Sequence, residues 1–517
     1  MRANAAKVLG ATEDKQAFEA LLDRALHDSD LRVRVSAIRA LGNLKDARAA
    51  QPLFLRAESL LAAYRLREGS SPTQKNELLE IITTLGRTLQ NSNDAPAIAL
   101  LKQFRILDQL QSSETEIAFA RISPETYVRT EPVEGTARQV DKIFPPSKST
   151  WHASNSLAQG FAEFANLPDD KKQVRRTALA DFALLISSPE SHDPKIVPAI
   201  PSYLRAYAAF KKDVNDPDWL GSRTSNQDWL SQTLRKYLLF KDKAPPQPFC
   251  IVPRGDEKFG YNDVFVRATA AELVAEQPPS KENTEALITA LSQALQHDTH
   301  DNDAALAILD ALGKQKSKEA NEAIKTALDS SDHLIRRRAV ALLKANGAGD
   351  FSSRIGTVQT RNTEADYRRA IARIGKHVTA TVMTSKGSFV IEFLPEDAPL
   401  TVDNFIQLAR KGFFNGQTIP RVVPNFVIQA GDPRGDTNGG PGYSIRCEIN
   451  EVPYERAAVG MALSGKDTGG SQWFVTHSPQ PHLDGGYTVF GRVISGLEVV
   501  DRIARGDIIR RVIVNER

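Results

Sequence analysis

Cysteine is nearly absent: Cys250 and Cys447 are the only two among 517 residues. Two thiols cannot build a disulfide framework, or by themselves a cysteine zinc site, so both are expected to serve as buried small apolar residues. No run of roughly 18 or more apolar residues occurs, which leaves no candidate for a transmembrane helix. Neither sign of charge predominates. With 66 basic and 63 acidic side chains the net charge is +3, too little for a broad electrostatic footprint toward nucleic acid or an anionic membrane. The opening residues, MRANAAKVLGATEDKQ, lack the apolar core of a secretory signal, so the default compartment is cytoplasmic. What remains, 41% hydrophobic and 25% charged residues, is ordinary soluble-globular usage, and the length predicts two to four domains.

Two stretches, 1–115 and 262–375, share a helical grammar. Arg2, Ala5, Leu9 and Gly10 are matched by Arg34, Ala37, Leu41 and Gly42, an offset of 32 residues. Arg267, Ala270 and Val274 keep the spacing, as do Arg336, Ala339 and Leu343, and 303–313 (DAALAILDALG) fits between them. Small residues at i and i+4 let two helices approach closely while leucines fill the layer between them. Acidic turns at 27–30 and 329–332 suit helix N-termini, where carboxylates meet orphan N–H groups and the positive dipole end. A single unit cannot bury its apolar face, so such units must stack. The pattern resembles the HEAT family of helical repeats. That resemblance implies an extended surface for a protein partner and says little about ligands. The first unit begins inside its second helix with no polar cap before Arg2, so a longer natural N-terminus is expected, and with it an exported form stays open.

Residues 116–261 read as divergent helical repeats with insertions. Within them 132–146 (PVEGTARQVDKIFPP) has linker composition, and Trp219 and Trp229 stand in an irregular polar region before another helix. After Lys376 the grammar turns to strands. Residues 378–384 alternate, 385–388 (SKGS) make a tight turn, and 389–394 continue as a second strand. One helix is expected at 401–411, with Val402, Phe405, Ile406, Leu408 and Ala409 inward and Gly412 past its end. The rest consists of short strands and glycine-rich loops, the signature of a closed sheet or barrel with a few helices. The fold class is therefore multidomain: an all-α repeat solenoid followed by a mainly β domain at 377–517.

The second resemblance lies in that β region. Arg421-Val-Val-Pro-Asn-Phe426-Val-Ile-Gln429-Ala-Gly-Asp432 is followed by Gly439-Gly-Pro-Gly442 and Gly460-Met-Ala462-Leu463. Gly470-Ser-Gln472-Trp-Phe474 and Leu483-Asp-Gly-Gly-Tyr487-Thr-Val-Phe-Gly491 complete the series. Taken singly, Arg421 reads as a surface arginine and Phe426, Val427 and Phe474 as core residues. Taken together and in this order, the segments resemble the cyclophilins, peptidyl-prolyl cis-trans isomerases, over a little more than a quarter of the chain. The resemblance implies a cyclophilin-like barrel, an activity that needs no cofactor or metal, and proline-containing peptides and proteins as substrates.

It also implies roles. Arg421 is the cationic donor, and Gln429 its brace and a contact to the substrate backbone. Phe426, Val427, Phe474 and Leu483 form the proline pocket, with Tyr487 at its edge. Ala462, Leu463, Gln472 and His482 complete the substrate-binding set. Three positions depart from well-studied members. Ile419 and Pro420 stand where an aromatic and a histidine are frequent, His482 where a cyclosporin-binding tryptophan is found, and Tyr487 where a histidine lines the pocket. Weak cyclosporin sensitivity is the expected consequence.

The chemistry itself needs no nucleophile. Rotation about an X–Pro bond meets a barrier of about 20 kcal/mol, because twisting the amide ends its resonance. An apolar pocket for the ring, a water-poor wall and a cation aimed toward the prolyl nitrogen each lower it, and guanidinium supplies a rigid fork of charged N–H groups. The rival reading is a non-catalytic proline-peptide binding module in a scaffolding protein. A third makes the repeats the working part and the isomerase an accessory. Residues 421–432 read as one strand, in which Arg421 and Gln429 share a face and meet only through a bend or bulge between them. Three further patterns are set aside: His297-Asp-Thr-His300 as a solvated loop, Arg434-Gly-Asp436 as chance, and Gly465-Lys466 as lacking phosphate-loop order.

Overall fold

The computed structural model describes residues 2–65, 74–108, 112–130, 151–187, 197–210, 213, 226–239, 263–298, 301–356 and 362–516. The expected linker at 132–146, Trp219, Cys250 and His300 lie outside them, as does the side chain of Trp229. The chain forms two compact units, one joining residues 1–89 to 360–517 and the other spanning 90–359. No helix among the described residues is long and apolar enough to cross a membrane.

The first unit begins with five helices: α1 (Arg2–Ala11), α2 (Phe18–His27), α3 (Leu31–Leu44), α4 (Ala50–Arg65) and α5 (Lys75–Thr88). The acidic turn works as its composition suggests: Asp30 caps α3 by accepting from Arg32 N at 2.9 Å. The repeated glycine marks helix contacts. A Cβ on Gly10 would lie 2.6 Å from that of Ala40, and one on Gly42 2.8 Å from Thr84 Oγ1. Glycine is thus where α1 meets α3 and where α3 meets α5. The repeated arginine ties neighbouring units together. Arg34 donates to the fully buried Glu77 and to the carbonyls of Asp28 and Ser29.

The second unit uses the same devices. Asp332 caps the helix His333–Ala345, and Gly313 admits Leu342, whose Cδ2 would lie 2.7 Å from a Cβ there. Arg267, buried like its partner, pairs with Asp298 at 2.6 Å. Where it is described, the stretch expected to be divergent repeat is helical, at Trp151–Ala162, Lys172–Ser187, Ile200–Ala209 and Asn226–Leu238.

Residues 378–516 form one curled antiparallel sheet of eight strands. They are β1 (Val378–Thr384), β2 (Gly387–Phe393), β3 (Arg421–Val423), β4 (Val427–Ala430), β5 (Ala458–Met461), β6 (Trp473–Thr476), β7 (Val489–Ser495) and β8 (Ile509–Glu516). The strand order is β3-β4-β6-β5-β7-β2-β1-β8. The segments before the two end strands meet at a bridge between Thr418 and Ile508, which brings the edges of the sheet together. The expected β1–β2 hairpin is present, and the helix runs Pro399–Arg410, burying Val402, Phe405, Ile406, Leu408 and Ala409. Its Phe405 packs with Phe393, Phe414, Trp473 and Phe490 inside the curl.

One expectation is corrected here. Residues 421–432 are not a single bent strand. They form a hairpin in which Pro424 and Asn425 stand between β3 and β4 and Asn425 takes φ 58°. Proline withholds a ladder donor, and asparagine tolerates the left-handed region, so a turn interrupts an otherwise apolar run.

Candidate active site

Alternation along the strands sorts side chains between two apolar clusters. Ile428, Ala430, Val459, Met461, Trp473 and Val475 point into the curl of the sheet. Val427, Ala458 and Phe474 point to the opposite face, where Tyr454, Leu483 and Val489 join them and Phe426, Ala462 and Tyr487 pack at the margin. The second cluster is an apolar patch on the outside of the sheet. It contains six of the residues assigned to the pocket and its groove: Phe426, Val427, Ala462, Phe474, Leu483 and Tyr487. Leu463 is not among them. It follows Ala462 and turns the other way, against the inner core.

The hairpin places Arg421 directly opposite Gln429. Arg421 Nη1 donates to Gln429 Oε1 at 2.9 Å, and its guanidinium lies 5.8 Å from the ring centroid of Phe426. The contact is set by register, with no bulge needed. Gln429 Nε2 in turn donates to Gln472 Oε1 at 2.8 Å. Gln472 Nε2 donates to the carbonyls of Thr437 and Gly439 at 2.9 and 2.8 Å. Those two backbone carbonyls fix which end of Gln472 is oxygen, and this choice propagates through Gln429 to the arginine. The relay occupies one guanidinium N–H and holds the side chain across the patch.

Aromatic contacts finish the surface. His482, on the short turn Pro481–Leu483, stacks with Phe426 at 5.7 Å between centroids. Tyr487 meets Phe474 edge-on at 6.1 Å. Beneath Phe474 lies Tyr454, stacked at 5.4 Å, and both occupy the space that a side chain at Gly460 would need. Burial pushes the Tyr454 phenol far above its ordinary range, so it stays neutral. The loop anchoring Gln472 is itself tied by Asp432, which accepts from Arg434 N and Thr437 N at 2.8 and 2.5 Å. Burial raises the Asp432 carboxyl. Asp436 of the Arg434-Gly-Asp436 tripeptide is spent on Arg434, 3.0 Å away.

Tyr454 and Asp432 are contributors that the sequence did not single out. The signal for Asp432 was its place at the end of the arginine segment; Tyr454 carried none. Cys447, expected to be buried, is half-buried, with its thiol pushed up by desolvation. Among the described residues no group of three or more His, Cys, Asp or Glu side chains is placed to hold a metal ion.

The profile of the family described as "Cyclophilin type peptidyl-prolyl cis-trans isomerase/CLD" matches residues 379–516, and that of "HEAT repeats" matches 1–62. Peptidyl-prolyl cis-trans isomerase B of Bacillus subtilis (strain 168) is 53% identical over 123 residues, which is 23% of this chain and 86% of the relative. A peptidyl-prolyl cis-trans isomerase of Helicobacter pylori (strain ATCC 700392 / 26695) is 46% identical over 144 residues, 27% of this chain and 88% of the relative. One from Synechococcus elongatus is 47% identical over 130 residues, 25% of this chain and 90% of the relative.

Proposed function

Because the chain belongs to the cyclophilin-type peptidyl-prolyl cis-trans isomerases, we propose that its outer-face patch binds a proline ring and speeds rotation of the preceding peptide bond. The observation that carries this reading is Arg421, braced by Gln429 at the rim of the apolar cluster. Phe426, Val427, Phe474 and Leu483 receive the ring, and Tyr487 and His482 border it. Arg421 holds the peptide and directs a charged N–H toward the prolyl nitrogen as its lone pair localises, an interaction stronger in the twisted state than in the planar one. Gln429 keeps the guanidinium in place and meets the substrate backbone. Ala462 and Gln472 line the adjoining groove. No proton transfer or covalent step is required. The helical repeats act as a scaffold that gathers proline-containing partners near the pocket, raising their effective concentration there.

The test is exchange spectroscopy on a model X–Pro peptide. The full chain should raise the cis–trans exchange rate well above the uncatalysed scale of tens of seconds. Binding of the peptide without faster exchange would leave a proline-peptide module in place of an enzyme. A second expectation concerns cyclosporin. With His482 stacked on Phe426 where a hydrogen-bonding tryptophan would stand, inhibition should need well above nanomolar drug. Half-inhibition in the nanomolar range would remove His482 as the determinant.

A further inference from the structure

The repeat helices of the first unit reach the back of the pocket. Lys7 Nζ, on α1, donates to the carbonyl of Asn425 at 3.1 Å. Arg32, near the start of α3, donates through Nη1 to the carbonyl of His477 at 3.2 Å, while its Nε and Nη2 hold Asp30. These two carbonyls flank a single backbone hydrogen bond, His477 N to Phe426 O at 2.8 Å. That bond follows the last paired residues of the β4–β6 ladder, Val427 and Thr476, at the point where Phe426 leaves the sheet. The Asn425 carbonyl also accepts from Ser478 Oγ at 2.9 Å and Gln480 Nε2 at 3.3 Å, and that of His477 from Arg456 at 2.6 Å. The next residue along is Phe426, whose ring meets both Arg421 and His482. Elsewhere in the same contact, Asn76 of α5 gives a buried N–H to the carbonyl of Ile503 at 2.9 Å.

We propose that Lys7 and Arg32 are positioning residues of the isomerase: two cations from the repeats grip the carbonyls on either side of the Phe426–His477 bond and thereby set the Phe426 wall of the proline pocket. The proposal rests on the isomerase reading above. Neither cation touches Arg421 or Gln429, so the groups that act on the twisted amide are left as they are. Phe426 faces the ring in the planar and the twisted state alike. A displaced wall therefore weakens both states equally, which raises KM and spares kcat.

The experiment compares Lys7→Met and the double variant Lys7→Met/Arg32→Met with the wild-type full chain, using one X–Pro peptide. Exchange rates give KM and kcat, and titration gives the peptide Kd. The double variant should raise KM and Kd about three- to tenfold with kcat held within about twofold, the pattern of lost uniform binding. Lys7→Arg, which keeps a charged donor, should recover most of the loss seen in Lys7→Met. Circular dichroism must report a folded chain. Asn76→Ala separates local positioning from docking in general, because it removes a repeat contact that lies on neither carbonyl. The proposal is overturned if the folded double variant keeps wild-type KM and Kd, if Asn76→Ala raises KM as much, or if kcat falls with KM unchanged. Should the wild type bind peptide without accelerating exchange, the isomerase reading fails, and the Kd series alone decides whether the two cations position the pocket.

Discussion

Arg421→Ala is expected to lower kcat/KM toward an X–Pro peptide by on the order of 10- to 150-fold. That range corresponds to the loss of one charged hydrogen bond of about 1.5–3 kcal/mol at about 1.36 kcal/mol per tenfold. The fold should be unaffected, since Arg421 sits half-exposed on the outer face and contributes nothing to the inner core. Arg421→Lys should recover little. One arm of the guanidinium is engaged by Gln429 while its centre lies beside the Phe426 ring, and a single ammonium cannot keep both positions at once. Gln429→Leu should show a smaller loss, because it frees the arginine without removing it. Exchange spectroscopy on the full chain checks all three. An Arg421→Ala chain within about threefold of wild type in kcat/KM would move the source of catalysis to the apolar walls.

The second large effect lies in the other unit. Asp298→Ala leaves Arg267 buried without the carboxylate that holds both of its Nη atoms. Removing one partner of a buried pair costs about 3–5 kcal/mol, because the carboxylate no longer offsets the desolvation of the guanidinium. Replacing both partners, as in Arg267→Met/Asp298→Leu, should bring the stability back to within about 1–2 kcal/mol of wild type, since burying the pair already carries a desolvation cost. Hydrogen exchange of the helix Val264–Val274 reads this locally. That matters because a chain of two units need not unfold in one step. If Asp298→Ala leaves the protection of that helix unchanged, the Arg267–Asp298 pair is not one of the fastenings of the solenoid.

Much of this was legible in the sequence for specific reasons. The repeat glycines recur at one offset because each stands at a close helix–helix contact: Gly10 with Ala40, Gly42 with Thr84. The residues proposed for the pocket are readable because several short segments keep a common order, which single residues such as Phe474 cannot convey. Two errors were local. Pro424-Asn425 is a turn signal, yet it sits inside a run of valines and isoleucine whose apolar character suggests unbroken strand. Leu463 belongs to the substrate-binding set that the resemblance implies, yet its side chain packs against the inner core, since neighbours in an extended segment face opposite ways. The contacts of Lys7 and Arg32 had no sequence signature at all. Each ends on a backbone carbonyl, which any residue supplies, so no complementary side chain marks the far end. Tyr454 was invisible for a related reason, since only the third dimension puts it beneath Phe474.

The span of the Lys7–Asn425 contact also bears on how the molecule is made. The donor lies 418 residues ahead of its acceptor. At about 5–20 residues per second on the ribosome, roughly 20–80 s separate the synthesis of the two ends. For that interval α1, α3 and α5 exist without the surface they later cover, and Asn76 waits in the same way for Ile503. The isomerase barrel emerges after α1, α3 and α5. Its arrival therefore closes the first unit, and Lys7 and Arg32 reach their carbonyls only once residues 425 and 477 have followed them from the ribosome.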